Sequence, residues 1–210
     1  MFTSGFQMTY PFDFYSTLKG VFAGTQAPSA LFTSNTNENN TVSPGGFKLR
    51  YSTNHDVTSS DGATVKIYNG KQGALAAYVL AAYMNGVPLL YTGQEVGSPK
   101  QVSIFNDDPI DWTTNPDMTA AYKKILAFRA AHEAVKTGAR IPYNDTNIIA
   151  FEKKAGTDDV LILVNAKNSV NDFTAPAALQ GAWTNGMTNA STTLGAKVTM
   201  QPYEYLVLKK

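Results

Sequence analysis

Asn54-His55-Asp56 places an amide, an imidazole and a carboxylate side by side at the end of the stretch 47–53. An imidazole and a carboxylate together suit hydrogen bonding to hydroxyl-rich ligands and proton transfer near neutral pH. Before them, Phe47, Leu49 and Tyr51 alternate with Lys48, Arg50 and Ser52, the period-2 pattern of an extended segment. In a continuing strand, His55 and Asp56 would point to opposite faces. Both can address one ligand only if the strand stops and the pair sits on its rim. The plainer alternative, which spacing alone favours, is a polar strand end whose His and Asp satisfy local backbone groups. Gln94 and Glu95 form a second polar pair after the apolar run Val87 to Tyr91, and Asp61 lies in the loop next to Asp56. Tyr10, Tyr51 and Tyr91 suit either a ring-stacking platform or a core, and strand positions favour the core. Two histidines and no cysteine argue against a zinc site, and no aspartate-rich loop has the glycine and spacing of a calcium hand, so no metal ligand is assigned. His132 reads as a packing or surface residue. Asp107-Asp108 and Asp158-Asp159 read as solvated turns.

The elements that must position these residues follow from periodicity. Phe6, Met8 and Tyr10 alternate up to Pro11 and predict a strand at the beginning of the chain. Phe14, Tyr15, Leu18, Val21 and Phe22 predict a helix over 12–22. The region 23–46, rich in Ser, Thr, Asn, Pro and Gly, predicts a solvated loop, and so does 57–69. Leu75, Tyr78, Val79, Ala82 and Tyr83 predict a helix over 71–85 whose alanines permit close packing, stopped by Asn85-Gly86. Val87 to Tyr91 is continuously apolar, the pattern of a strand covered on both faces. Asn115, Pro116 and Asp117 form a helix start, with Asn115 as cap, and that helix is expected to run to about Thr137. Strand, helix, strand, helix, strand, helix is the order of a parallel sheet with right-handed crossovers. From Arg140 onward the runs 148–153, 160–165 and 203–209 are β-rich, with weaker candidates near Trp183 and Val198, and no helical period returns. The expected domains are therefore 1–139, α/β, and 140–210, all-β and antiparallel.

Bulk properties exclude some partners. A 210-residue chain buries roughly 70% of its unfolded surface and needs no staples. Net charge is +1 with a pI near 7.8, and lysines and arginines are scattered, so neither nucleic acid nor an anionic membrane has an electrostatic footprint. No apolar run is long enough to span a bilayer.

Arg50-Tyr51-Ser52-Thr53-Asn54-His55-Asp56, then Gly86-Val87-Pro88-Leu89-Leu90-Tyr91-Thr92-Gly93-Gln94-Glu95, then a final helix and a β module, resemble the C-terminal part of the α-amylase family, glycoside hydrolase family 13. The resemblance covers nearly the whole chain. It implies the last three β/α units of a (β/α)8 TIM barrel, incomplete here, followed by a small antiparallel β-sandwich, with Met1 to Tyr10 similar to the sixth strand. It implies action on α-glucans with retention of configuration. Asp56 is similar to the family's third carboxylate, which stabilises the transition state at the cleaved sugar, and His55 to the histidine that hydrogen-bonds the same sugar. Asn54 belongs to the motif, and Glu95 is a second candidate for substrate contact. No stretch matches the family's nucleophile or general acid. Retention needs two carboxyl groups roughly 5 to 5.5 Å apart, so the chain by itself is expected to be inactive. The expected partners are an α-glucan and either a second copy or a missing N-terminal barrel half, because an open barrel leaves sheet edges unpaired. No cofactor is implied, and a calcium requirement of a longer enzyme stays open. The alternative is a noncatalytic glycan-binding or interaction module.

Overall fold

The computed structural model describes residues 5–210. Met1 to Ser4, the beginning of the first expected strand, lie outside the described residues. Strands β1 (Met8–Thr9), β2 (Phe47–Arg50) and β3 (Val87–Pro88) form a parallel sheet in that order, with Met8 opposite Phe47 and Leu49 opposite Val87. No closed barrel is formed among the described residues. All three strands are shorter than their apolar patterns predicted. β2 ends at Arg50 because the backbone turns toward the next helix, and Pro88 lies on an edge strand, where a missing donor is tolerated.

Helices α1 (Phe12–Phe22) and α2 (Ser29–Asn39) connect β1 to β2. The second occupies the region that composition read as a solvated loop. Its polar residues bond back into the helix instead of breaking it: Thr36 Oγ1 donates to the Phe32 carbonyl and Asn39 Nδ2 to the Asn35 carbonyl, both at 2.8 Å. Tertiary contacts supply the rest. Leu31, Phe32, Asn35 and Glu38 are buried, and a Glu38 carboxylate oxygen accepts from the Phe14 amide at 2.9 Å.

The region 57–69 is also helical, in α3 (His55–Asp61) and α4 (Thr64–Ile67). Helix α5 (Lys71–Tyr83) is buried at every position from Gly73 onward, which its small residues permit, and it packs against α6 (Pro116–Ala131). Gly86 follows it at φ +140°, where an added Cβ would lie 2.7 Å from Arg50 Cγ, so glycine lets this turn close on β2. The last helix was expected to be continuous to Thr137. It breaks at extended His132, whose ring stacks on Phe128 and whose Nδ1 lies 2.7 Å from Asp158, and resumes as α7 (Glu133–Thr137). Asp158 also accepts from the Ala134 amide at 2.9 Å, so it anchors a helix start and is not a solvated turn. Asn115 precedes α6 in a left-handed conformation without a capping bond. Its side chain donates to the Val96 carbonyl instead.

The β-rich part is a six-stranded antiparallel sheet and a two-stranded ribbon. The sheet runs in the order β4 (Ala139–Tyr143), β5 (Ile148–Ala155), β6 (Asp158–Asn165), β11 (Tyr205–Lys209), β8 (Gly181–Asn185), β9 (Ser191–Leu194). The ribbon pairs β7 (Asn171–Thr174) with β10 (Lys197–Met200). Alternation along β5 and β6 sends Ile149, Phe151, Val160, Ile162 and Val164 into one core with the helices. Ile148, Ala150, Leu161 and Leu163 enter a second core with Phe173, Trp183 and Met200.

Candidate functional site

The rim of the middle strand is built by a cap. Asn54 has extended backbone, is fully buried, and its Oδ1 accepts from the amides of Asp56 and Val57 at 2.9 and 3.0 Å. A short oxygen acceptor at this position satisfies amides that a helix start leaves open. β2 has already ended at Arg50, and α3 begins here with His55 and Asp56. His55 and Asp56 are adjacent on its first turn, with Nε2 to Oδ1 at 3.3 Å and side chains 40% and 53% exposed. Asn54 holds the backbone and the other two side chains are open to a ligand.

The segment beneath them is clamped. Ser52, Thr53 and Asn54 are buried. Gln94 Nε2 donates to Ser52 Oγ at 2.6 Å and to the Tyr122 hydroxyl at 3.2 Å, and the Tyr68 hydroxyl donates to the Ser52 carbonyl at 2.9 Å. Gln94 thus ties the loop after β3 to the end of β2. The Gln94 pairing was signalled in the sequence only by an amide in a polar loop, whereas Tyr68 gave no signal at all. A small cavity lined by Thr53, Thr58, Tyr91, Thr92 and Gln94 lies between the two strand ends.

Aromatic rings flank the pair. The Tyr10 ring sits 5.8 Å from His55 edge-on and 5.9 Å from Tyr51, which stacks on Tyr15 at 5.6 Å. Tyr51 is wholly buried, while Tyr10 keeps 40% of its surface and shares an open face with His55. Tyr91 is half-buried.

Two other carboxylates take different places. Asp61 ends α3 and accepts from the Tyr15 hydroxyl at 2.6 Å and Lys19 Nζ at 2.7 Å. Burial alone would push its carboxyl up, but the bonds from Lys19, Tyr15 and Ser60 outweigh that and hold it below the usual carboxylate range. Glu95 is half-buried, its carbonyl accepts from Thr119 of α6 at 3.1 Å, and its buried Oε2 has no hydrogen-bond partner among the described residues. The structure thus brings Asn54, His55 and Asp56 together on one rim, with Tyr10 beside them. Glu95 interacts with the helices behind that rim.

No family model matches the chain. In sequence it is 23% identical to α-amylase 2 of Dictyoglomus thermophilum over 124 residues, 53% of this chain and 22% of that protein. In structure it superposes on an α-amylase from Lactobacillus plantarum with a TM-score of 0.80 at 19% identity, covering all of this chain and 49% of that one. The fold is that of part of an α-amylase. A maltogenic α-amylase, AmyB from Thermotoga neapolitana, gives 0.79 at 17% identity and 99% coverage. AmyP in complex with maltose gives 0.76 at 16% and 97%. The chain spans about half the length of these solved relatives, 49 to 52%.

Proposed function

We propose that this chain is the C-terminal part of a retaining α-glucan hydrolase and supplies one of the three carboxylates of its active site. Its residues 1–139 then form the last three β/α units of a (β/α)8 barrel, and residues 140–210 the β-sandwich that follows. The observation that carries the reading is the Asn54 cap, which starts α3 just beyond the middle parallel strand and presents His55 and Asp56 on an open rim. A hydroxyl-rich sugar ring suits this pair. The carboxylate can accept hydrogen bonds from two hydroxyls and offers negative charge to an oxocarbenium-like ring, and the imidazole hydrogen-bonds a neighbouring hydroxyl. Tyr10 offers a ring face or edge beside them. Asn54 acts by holding the backbone, and Glu95 joins substrate binding only if its loop turns outward.

Asp56 cannot be both nucleophile and acid, and Asp61 is engaged by Tyr15 and Lys19. The isolated chain is therefore inactive, and the nucleophile and general acid come from polypeptide outside it. The maltose and maltotriose named with AmyP support maltooligosaccharides as the ligand class. The test uses a chromogenic maltooligosaccharide and calorimetry with maltoheptaose. The 210-residue chain alone gives no turnover; supplemented with an N-terminal barrel half that carries both missing carboxylates, it turns over, and Asp56→Asn abolishes that. Turnover by the chain alone that Asp56→Asn removes would overturn the reading. Sugar binding unaffected by Asp56→Asn or His55→Ala, with no turnover in any combination, would instead support a noncatalytic glycan-binding module.

A further inference from the structure

We infer that Tyr15 of α1 and Asp61 of α3 are positioning residues for the rim: their hydrogen bond fixes the far end of α3 and so sets where His55 and Asp56 stand. The Tyr15 hydroxyl donates to Asp61 Oδ2 at 2.6 Å, and Lys19, one turn further along α1, donates to the same oxygen at 2.7 Å. Local helix physics does not account for Asp61. A carboxylate in the last turn opposes the partial negative charge of a helix C-terminus, and α3, at seven residues, is too short to be stable by itself. Its hold must come from neighbours. The Asn54 cap fixes its first turn. Beneath its middle, Val57 packs with Tyr15 and Tyr51 in a small apolar cluster joined by Leu89. Asp61 fixes the last turn, and Gln101 adds a bond to the Ser59 carbonyl.

Tyr15 belongs to two of these attachments. Its ring lies in the Val57 cluster and stacks on Tyr51, and Tyr51 in turn meets Tyr10, the ring that stands 5.8 Å from His55. From His55 to Asp61 the helix rises about 9 Å at 1.5 Å per residue. Freeing the far end lets α3 pivot about the Asn54 cap, and both side chains of the first turn move with it. The two bonds to Asp61 are unequal. The Lys19 side chain is 43% exposed, where an ion pair contributes little. Tyr15 is buried, and its bond to a carboxylate is charge-assisted. Burial, then Asp61 itself, pushes the Tyr15 hydroxyl well above its ordinary value, so it is a donor at neutral pH. Tyr15 is therefore the decisive partner. The bond needs an acceptor oxygen at position 61 but no charge there, so an amide serves.

The test reads the His55 Hε1 proton resonance of the 210-residue chain, assigned by its loss in His55→Gln, well below the melting temperature of each variant. Tyr10→Leu removes the neighbouring ring and gives the reference for an imidazole without that contact. Tyr15→Phe keeps the ring in place and deletes only the hydroxyl. In Tyr15→Phe and in Asp61→Ala the resonance is expected to move toward the Tyr10→Leu position, and the double variant moves it no further than either single one. Asp61→Asn and Lys19→Met leave it at the wild-type position. A resonance unmoved in Tyr15→Phe, with a lower melting temperature, would show that the pair serves the fold alone and overturns the inference, and so does an additive double variant. Turnover is a second readout, and it alone rests on the hydrolase reading above. In the chain completed by an N-terminal barrel half, Tyr15→Phe lowers kcat about tenfold with KM within about twofold, as expected when a group that acts on the transition state is displaced. A wild-type kcat in Tyr15→Phe overturns the inference and leaves the hydrolase reading standing. No turnover in the completed wild type is a failure of that reading, and the resonance still decides the role of Tyr15 and Asp61.

Discussion

At the scale of residues, the division of labour within Asn54-His55-Asp56 makes opposite predictions for neighbours. Asn54 is buried and accepts two amides, so Asn54→Ala removes a cap and lowers unfolding free energy by about 1 kcal/mol in urea denaturation. Asp56 is half exposed, so Asp56→Asn shifts the same curve by less than about 0.5 kcal/mol, while it removes any activity the chain supports in a complete barrel. A large stability loss in Asp56→Asn would show that this carboxylate serves the fold. Lys153 makes a pH prediction of definite sign. Its folded value of about 8 lies below the unfolded 10.5, so between those limits the unfolded chain binds more protons. Stability therefore rises with pH across that window, by about 3 kcal/mol relative to Lys153→Met. Tyrosines whose hydroxyls burial holds protonated act in the opposite sense at high pH, but they are common to both proteins and cancel in the difference. Urea curves of wild type and variant at pH 7, 9 and 10 measure it.

At the scale of elements, α2 depends on one ion pair. Its sequence has little helical amphipathicity, and Glu38 joins it both to the α1 backbone and to Arg50 of β2. Glu38→Gln leaves Arg50 buried with a neutral partner, and Glu38→Ala leaves it with none. The expected losses are graded, with the alanine variant destabilised by about 3 to 5 kcal/mol. Hydrogen exchange locates the effect: amides of 29–39 lose protection before those of β5 and β6. Uniform loss across the chain would mean that α2 is not a separate cooperative piece.

At the scale of the whole molecule, the parallel sheet has two open edges. β1 and β3 are edges, and Phe6, Met8, Tyr10, Phe12 and Phe47 stay exposed, Phe6 by 63% and Phe47 by 47%. Unpaired edges beside an apolar face invite association. Light scattering of the isolated chain is expected to give a dimer or larger species, and Phe47→Glu with Met8→Lys a monomer. A monomeric wild type at micromolar concentration would mean that this face is tolerated in water. Much of this architecture is written in local patterns. Periodicity marks α1, α5, α6, β2, β5, β6 and β11, and the order of elements marks the parallel sheet, because one-dimensional spacing reflects which faces are apolar. The strand that leads toward Asn54-His55-Asp56 is visible for the same reason. Other features were decided only by contacts between distant residues. The polar stretch 29–39 is a helix because Glu38 meets Arg50 and Phe14. The rim is tied to the loop after β3 because Gln94 reaches Ser52, and His132 breaks the last helix to reach Asp158. Arg140 and Lys153 oppose each other through a strand register that their spacing does not reveal. The sequence by itself determined where chemistry could sit and which residue types would carry it. Tertiary structure decided which polar groups are buried and with whom, because the desolvation of a polar group exists only once distant parts of the chain have closed around it.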